Sequence, residues 1–111
     1  MATVYNIAVD QGSDYTTTIN LTDDAGANRD LSVYTARGQL KRSYNSTSNV
    51  AFATDISNPT GGEVIISLTN AKTANLKYGR YVYDVELVHN STGNVERILE
   101  GIVTVYPEVT K

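Results

Sequence analysis

The sequence predicts an all-β chain: an antiparallel two-sheet immunoglobulin-like sandwich of about seven strands with one short helical turn, a single domain over residues 1–111. Three observations predict it. Apolar and polar residues alternate with period two along most of the chain, which lays every second side chain on one face of a strand. Turn residues interrupt that alternation roughly every 8–15 residues, the rhythm of a sandwich rather than of strand–helix–strand units. The third observation is the stretch LKYGRYVYDVEL, Leu76 to Leu87. It sets Tyr81, Tyr83, Val85 and Leu87 on one face and Val82, Asp84 and Glu86 on the other. Its opening, Leu76-x-x-Gly79-x-Tyr81, has the pattern of a tyrosine corner, in which the phenol folds back to hydrogen-bond backbone just upstream. Gly79 supplies the unusual backbone that such a turn needs. The plainer alternative is a tyrosine packed at a strand start.

The elements follow in order. Thr3 to Val9 reads as a first strand with Tyr5, Ile7 and Val9 inward, closed by the turn residues Asp10 to Ser13. Asp14 to Thr22 alternates most cleanly, with Tyr15, Thr17, Ile19 and Leu21 inward and Thr16, Thr18, Asn20 and Thr22 outward. DDAGANRD, Asp23 to Asp30, is a loop by composition. Leu31 to Ser43 gives a third strand, in which Gly38 either admits a close neighbour or marks a bulge. After the polar loop YNSTSN, Val50 to Ile56 is a weaker strand anchored by Phe52 and Ile56. Asn58 to Gly62 stops it, and Glu63 to Leu68 alternates again. Thr69 to Leu76 is the helix candidate, capped by Thr69, with Ala71, Ala74 and Leu76 toward the core. The strand from Leu76 ends near His89, and NSTGN makes a hairpin loop. Val95 to Tyr106 is the last strand, interrupted at Gly101, where a bulge would exchange inward and outward residues. Leu99, Val103 and Val105 are expected inward, and Pro107 ends the strand.

At 111 residues the chain suffices for one core without staples, burying roughly 65% of its unfolded surface. There is no Cys and no Trp, so the inter-sheet bridge of antibody domains and its packing partner are both absent. A net charge of −3 without a basic run speaks against nucleic acid. No apolar span is long enough for membrane insertion, and the first residues do not read as a signal peptide, so synthesis in the cytosol is expected. The sequons at Asn20, Asn45 and Asn90 then carry no weight. Eight Tyr against one Phe suit strands and wet interfaces.

No residue is assigned a catalytic, cofactor-binding or metal-binding role, and no cofactor is implied. One His, His89, and no Cys do not build a usual zinc site. Asp84 and Glu86, with Glu96 and Glu100 across the hairpin, resemble in type the carboxylates of a glycosidase. On an outward strand face dotted with Arg80 and Arg97 they read as a solvated, mixed-charge surface. Asp23, Asp24 and Asp30, joined by Asp10 and Asp14, offer oxygen ligands to calcium, but their spacing is not that of a calcium loop and turns favour the same residues. A less bland feature is the apolar set on faces read as outward: Ile65, Val82, Val88, Ile98, Ile102 and Tyr106. Either these make a patch of roughly a few hundred Å2 for subunit contacts, or a bulge has exchanged the two faces.

Three segments carry a resemblance. They are INLTDDAGANRDLSVYTARGQLKRSY, ISNPTGGEVIISLTNAKTANLKYGRYVYDVEL and RILEGIVTVYPEVT. The chain resembles small bacteriophage virion proteins, in particular the immunoglobulin-like N-terminal domains of phage baseplate and tail-fibre adaptor proteins. The matched positions are Leu21-Thr22-Asp23 with Gly26, Asp30-Leu31-Ser32-Val33-Tyr34-Thr35-Ala36-Arg37-Gly38-Gln39, Gly62 to Val85, and Leu99 to Thr110. Val33 stands where the pattern has Gly, which puts the conformation of that turn in question. The resemblance implies a non-enzymatic virion structural protein, localised to the virion in multiple copies. Its expected partners are other virion proteins and itself as a homo-oligomer, in the tail, baseplate or fibre-attachment region. Capsid decoration is a lesser alternative. A receptor- or glycan-binding module is the other reading, with the loops YNSTSN, DDAGANRD and NSTGN as a polar end and Tyr44 free to stack on a sugar.

Overall fold

Alternation becomes structure wherever one face finds a second sheet to cover it. The computed structural model describes residues 3–23, 25–46 and 49–109. Among them nine strand segments form: β1 (Thr3–Val4), β2 (Ile7–Asp10), β3 (Tyr15–Asn20), β4 (Tyr34–Lys41), β5 (Val50–Ala51), β6 (Ala53–Asn58), β7 (Glu63–Leu68), β8 (Gly79–His89) and β9 (Val95–Tyr106). The count exceeds the expected seven because two expected strands are each broken. The larger sheet runs β1-β9-β8-β4-β5, with β2 also pairing β9; the smaller runs β3-β7-β6. Both β1 and β2 pair β9 in parallel, and the remaining ladders are antiparallel.

The core lies between the sheets. Val64, Ile66 and Leu68 of the smaller sheet face Val85, Leu87, Val103 and Val105 of the larger, all fully buried. Leu31, Leu40 and Phe52 close its sides. Alternating inward side chains on two stacked sheets make this packing the largest favourable term of the fold.

The two breaks have local causes. The first strand parts at Tyr5–Asn6, and Tyr5 is exposed rather than inward. Its carbonyl accepts the Tyr83 hydroxyl and sits where a Cβ on Gly101 would be, 2.3 Å away. Asn6 Oδ1 accepts from the Ile102 N–H at 3.1 Å, a side chain standing in for ladder backbone. The fourth expected strand divides at Phe52, with β5 pairing β4 in one sheet and β6 pairing β7 in the other. Phe52, buried, is the single residue joining them. Strand β4 begins at Tyr34, not Leu31, because Asp30 Oδ1 takes the Ser32 N–H and hydroxyl and the Tyr34 N–H turns to the Leu31 carbonyl.

Helix α1 (Asn70–Ala74) is one turn, and Thr69 caps it through the Lys72 N–H at 3.4 Å. Leu76 is buried as expected, but Ala71 and Ala74 are exposed and Thr73 is buried in their place. The Thr73 hydroxyl donates to the Ser13 carbonyl at 2.8 Å, which fixes the turn to the start of β3. The bulge expected at Gly101 falls at Ile98, where the β8–β9 register shifts between Val85 and Glu86.

Candidate functional site on the outer face of the larger sheet

The register of β4, β8 and β9 sets their outward side chains in rows across the sheet. Thr35, Val88 and Val95 form one row, Arg37, Glu86 and Arg97 the next, then Gln39, Asp84 and Glu100, then Lys41, Val82 and Ile102. Apolar pairs therefore stand at the two ends with charge between them. Arg37 Nε lies 2.8 Å from Glu86 Oε1, Arg97 Nε 3.3 Å from Asp84 Oδ2, and Arg97 Nη1 3.8 Å from Glu100 Oε2. Burial and then the charge of Glu86 push the Asp84 carboxyl above its ordinary range, against the opposing pull of Arg97 and Lys41. A hollow of about 320 Å3 opens over Gln39, Lys41, Asp84, Arg97 and Glu100, and Tyr44, largely exposed, lines it. Chemically the face offers alternating donors and acceptors beside an aromatic ring, which suits a polar partner.

The six residues expected to share one apolar patch do not. Val82 and Ile102 are direct cross-strand neighbours, with Tyr106 further along β9 on the same face. Val88 pairs with Val95 at the other end. Ile65 belongs to β7 of the opposite sheet. Ile98 is buried at 6% exposure, because the bulge turns it away from the outer face. What remains outward is two small separated groups, Val82–Ile102 with the exposed Tyr106 at one end and Val88–Val95 at the other.

At the start of β8 the Tyr81 hydroxyl donates to the Lys77 carbonyl at 2.8 Å, four residues upstream. Leu76 is buried, Tyr81 is 8% exposed, and Gly79 has φ +128°, a conformation side chains disfavour. That is the geometry of a tyrosine corner. Its brace comes from a residue that no local pattern singles out. Arg42 lies 4.6 Å over the Tyr81 ring and donates to the carbonyls of Tyr78 and Arg80, both at 3.1 Å. Tyr83, opposite Gly101, makes the second tyrosine-to-backbone bond of the strand, to Tyr5. Burial, then the neighbouring Tyr15 and Tyr5, raise its phenol well above the ordinary tyrosine range.

The loops separate into two ends. Tyr34 of β4 pairs with His89 of β8, and Lys41 with Val82, so the loop after β4 leaves from the end opposite to the loop after β8. DDAGANRD and NSTGN lie at the same end: a bidentate Arg29–Glu96 pair, 2.8 and 2.7 Å, ties the first to the start of β9 just past NSTGN, and the Asn90 N–H donates to the Val33 carbonyl just before β4. That pairing with Arg29 holds the Glu96 carboxyl below its ordinary range. YNSTSN, of which Thr47 and Ser48 lie outside the described residues, does not join them. Three of the carboxylates weighed for calcium are engaged with backbone: Asp23 Oδ1 accepts from the Ala25 and Ala27 N–H groups and Asp30 Oδ1 from the Ser32 N–H within their own turns, and Asp14 Oδ1 accepts from the Asn70 N–H at the start of α1. Asp24 lies outside the described residues, and among those described no three such groups converge.

No family model and no curated protein matches the chain. Solved structures do. One is InlP of Listeria monocytogenes, at 19% identity and a TM-score of 0.48, over 95% of this chain. The chain spans 28% of that protein's length. Another is the natural killer cell receptor Nkp44, described as a triggering partner in natural cytotoxicity. It is similar at 14% identity and a TM-score of 0.50 over 96% of this chain and 99% of that one. At such identity the likeness to Nkp44 speaks to fold alone. With the two sheets, the corner and the buried core already in place, the chain is an all-β, immunoglobulin-like sandwich.

Proposed function

We propose that this chain is a non-enzymatic structural module of a bacteriophage virion, seated in the tail, baseplate or fibre-attachment region and working through protein–protein contacts. One observation carries the reading: the motifs of the resemblance are the positions that set the frame. Leu21 to Gly26 is a turn held by Asp23, Leu76 to Tyr81 is the corner, and Leu99 to Val105 is the inner face of β9 with the close approach at Gly101. The solved structures above contribute nothing to the virion assignment. The carboxylates most like a catalytic pair are engaged: Glu86 with Arg37, and Asp84 and Glu100 with Arg97. Mass spectrometry of purified particles, with copy number, is the test. Presence at a fixed multiple per particle is expected, and absence from washed particles overturns the proposal.

A second reading has its own observation. Tyr44 stands over a hollow rich in amide, carboxylate and guanidinium groups, the mixture that holds a sugar by stacking and hydrogen bonds. A glycan array separates the readings. Binding abolished by Tyr44→Ala supports the second, and a blank array removes it.

A further inference from the structure

We infer that the β3 edge of the smaller sheet pairs with the β3 edge of a second copy of this chain, antiparallel about a two-fold axis at Thr17. This deepens the assembly reading and rests on it only in that copies meet. The particle measurement above and the solution measurement below succeed or fail separately.

An unpaired sheet edge is a template for another strand, and proteins defend such edges with short strands, bulges, charges or proline. Among the described residues three of the four edges are defended. Strand β5 has two residues, β6 carries Asp55 and a register shift between Asp55 and Asn58, and the β1–β2 edge is broken at Tyr5–Asn6. Strand β3, YTTTIN, is six residues without a charge, Gly, Pro or break. Its inward residues Tyr15, Thr17 and Ile19 are only half-buried, whereas Val64, Ile66 and Leu68 beside them on β7 are fully buried. The β3 edge is therefore regular, uncharged and incompletely covered.

The backbone fixes which residues can reach a partner. The Leu21 N–H donates to the Gly62 carbonyl at 2.8 Å, continuing the β3–β7 register in which Asn20 faces Glu63. Hydrogen bonding alternates along an antiparallel strand, so Tyr15, Thr17 and Ile19 spend their amides on β7, and Thr16, Thr18 and Asn20 turn theirs to the open edge. The sequence around Thr17 then selects the occupant. A two-fold there sets Thr17 against Thr17, Thr16 against Thr18, and Tyr15 against Ile19 of the second copy. Thr–Thr and aromatic–β-branched pairs are favourable cross-strand partners. Inward residues meet inward residues, and no like charges face each other. Tyr15 of the second copy stands opposite Ile19, beside a groove lined by Thr3, Tyr5, Thr17, Thr18 and Leu99. A six-stranded sheet continuous across both copies results.

The test is the oligomeric state of the full chain by sedimentation equilibrium up to about 1 mM, with three forms. The unaltered chain is expected to dimerise. T16K/T18K places Lys opposite Lys twice per dimer and is expected to weaken association at least about tenfold. T16E/T18K places Glu opposite Lys at both positions and is expected to restore it. Thr16 and Thr18 are exposed, so both variants leave the core alone; far-UV circular dichroism and an unchanged unfolding midpoint check that. A chain that stays monomeric at the highest concentration overturns the pairing. So does dimerisation equal in all three forms, which assigns association to another surface. Loss in both variants excludes this register, because a two-fold at Thr18 would oppose the introduced lysine to its own copy in each. Protection of the Thr16 and Thr18 amides only when a different virion protein is added gives the edge to a foreign strand and also overturns it.

Discussion

Replacing Gly101 by Ala adds one methyl group at the most crowded glycine of the strand framework. Its carbon would lie 2.3 Å from the Tyr5 carbonyl oxygen, 2.9 Å from the Tyr5 carbonyl carbon and 3.0 Å from Asn6 Oδ1. Two of those atoms are backbone, so no side chain can swing away to relieve the contact. The segment joining β1 to β2 must lift off β9. Three hydrogen bonds go with it: Tyr5 N–H to the Glu100 carbonyl at 2.8 Å, Ile102 N–H to Asn6 Oδ1 at 3.1 Å, and the Tyr83 hydroxyl to the Tyr5 carbonyl. The last leaves a phenol in a site where Tyr83 is 4% exposed. An unpaired buried hydroxyl costs about 1–3 kcal/mol and each other bond about 1 kcal/mol. The expected loss is about 3–5 kcal/mol, a large share of the roughly 5–15 kcal/mol that holds a domain folded. Urea unfolding followed by tyrosine fluorescence should show the midpoint falling by about 2 M. Tyr83→Phe supplies the control. In the Gly101→Ala background the hydroxyl has already lost its acceptor, so the double variant should be scarcely less stable than Gly101→Ala alone, a coupling of about 1 kcal/mol or more. An unshifted midpoint, or strict additivity, would refute the account of why β1 and β2 part at Tyr5.

Three further expectations use the same assay. Tyr81→Phe removes the bond to the Lys77 carbonyl and should lower stability by about 1–3 kcal/mol; an unchanged midpoint would make Tyr81 a packing residue only. Ile98→Ala should cost about 2–4 kcal/mol, since Ile98 is buried by the bulge, while Ile102→Ala, on the open face, should cost under about 1 kcal/mol; equal losses would mean the bulge is misplaced. Two carboxylates should respond to pH with opposite sign. The depressed Glu96 carboxyl stabilises the fold above the ordinary glutamate range and loses that effect as pH falls through its lowered folded value. Glu96→Gln should therefore lower stability near pH 7 by less than about 1 kcal/mol, the gap closing in acid. The raised Asp84 carboxyl disfavours the fold once pH climbs from the ordinary aspartate range through its higher folded value. Asp84→Asn should then raise the midpoint near neutrality and leave it unchanged in strong acid. Shifts of the same sign at neutral pH would contradict one of the two assignments.

The alternation and the corner of the Leu76–Leu87 stretch could be read from sequence because both are local. Its alternation needs only a sheet opposite, and the corner closes over four residues, from Tyr81 back to Lys77. What escaped depends on distant partners. The break at Tyr5 is made by Tyr83, 78 positions away, and by a glycine further still. The switch of sheets at Phe52 leaves no trace in VAFATDIS, since alternation looks the same whichever neighbour the strand chooses. The bulge did leave one. Ile98 and Leu99 are adjacent apolar residues in a period-two strand, and both are buried. Such a doublet is compatible with a slipped register but does not establish one, since Ile65–Ile66 and Ile102–Val103 stand in unbroken ladders. The inward face of α1 is not legible in the sequence, because five residues are too few to declare a helical period. On the outer face, the charged rows follow from register, which the sequence alone does not set between strands as far apart as β4 and β9.

The parallel pairing of β2 with β9 bears on how the molecule carries load. Ile7 to Asp10 runs alongside Val103 to Tyr106 in the same direction, so the chain enters this pair at one pole and leaves it at the other. Tension along the polypeptide would slide the two strands past each other, straining all their hydrogen bonds together instead of peeling them one by one. Single-molecule pulling through the two ends should meet a single high force peak, and a rupture in small successive steps would show that the strands unzip.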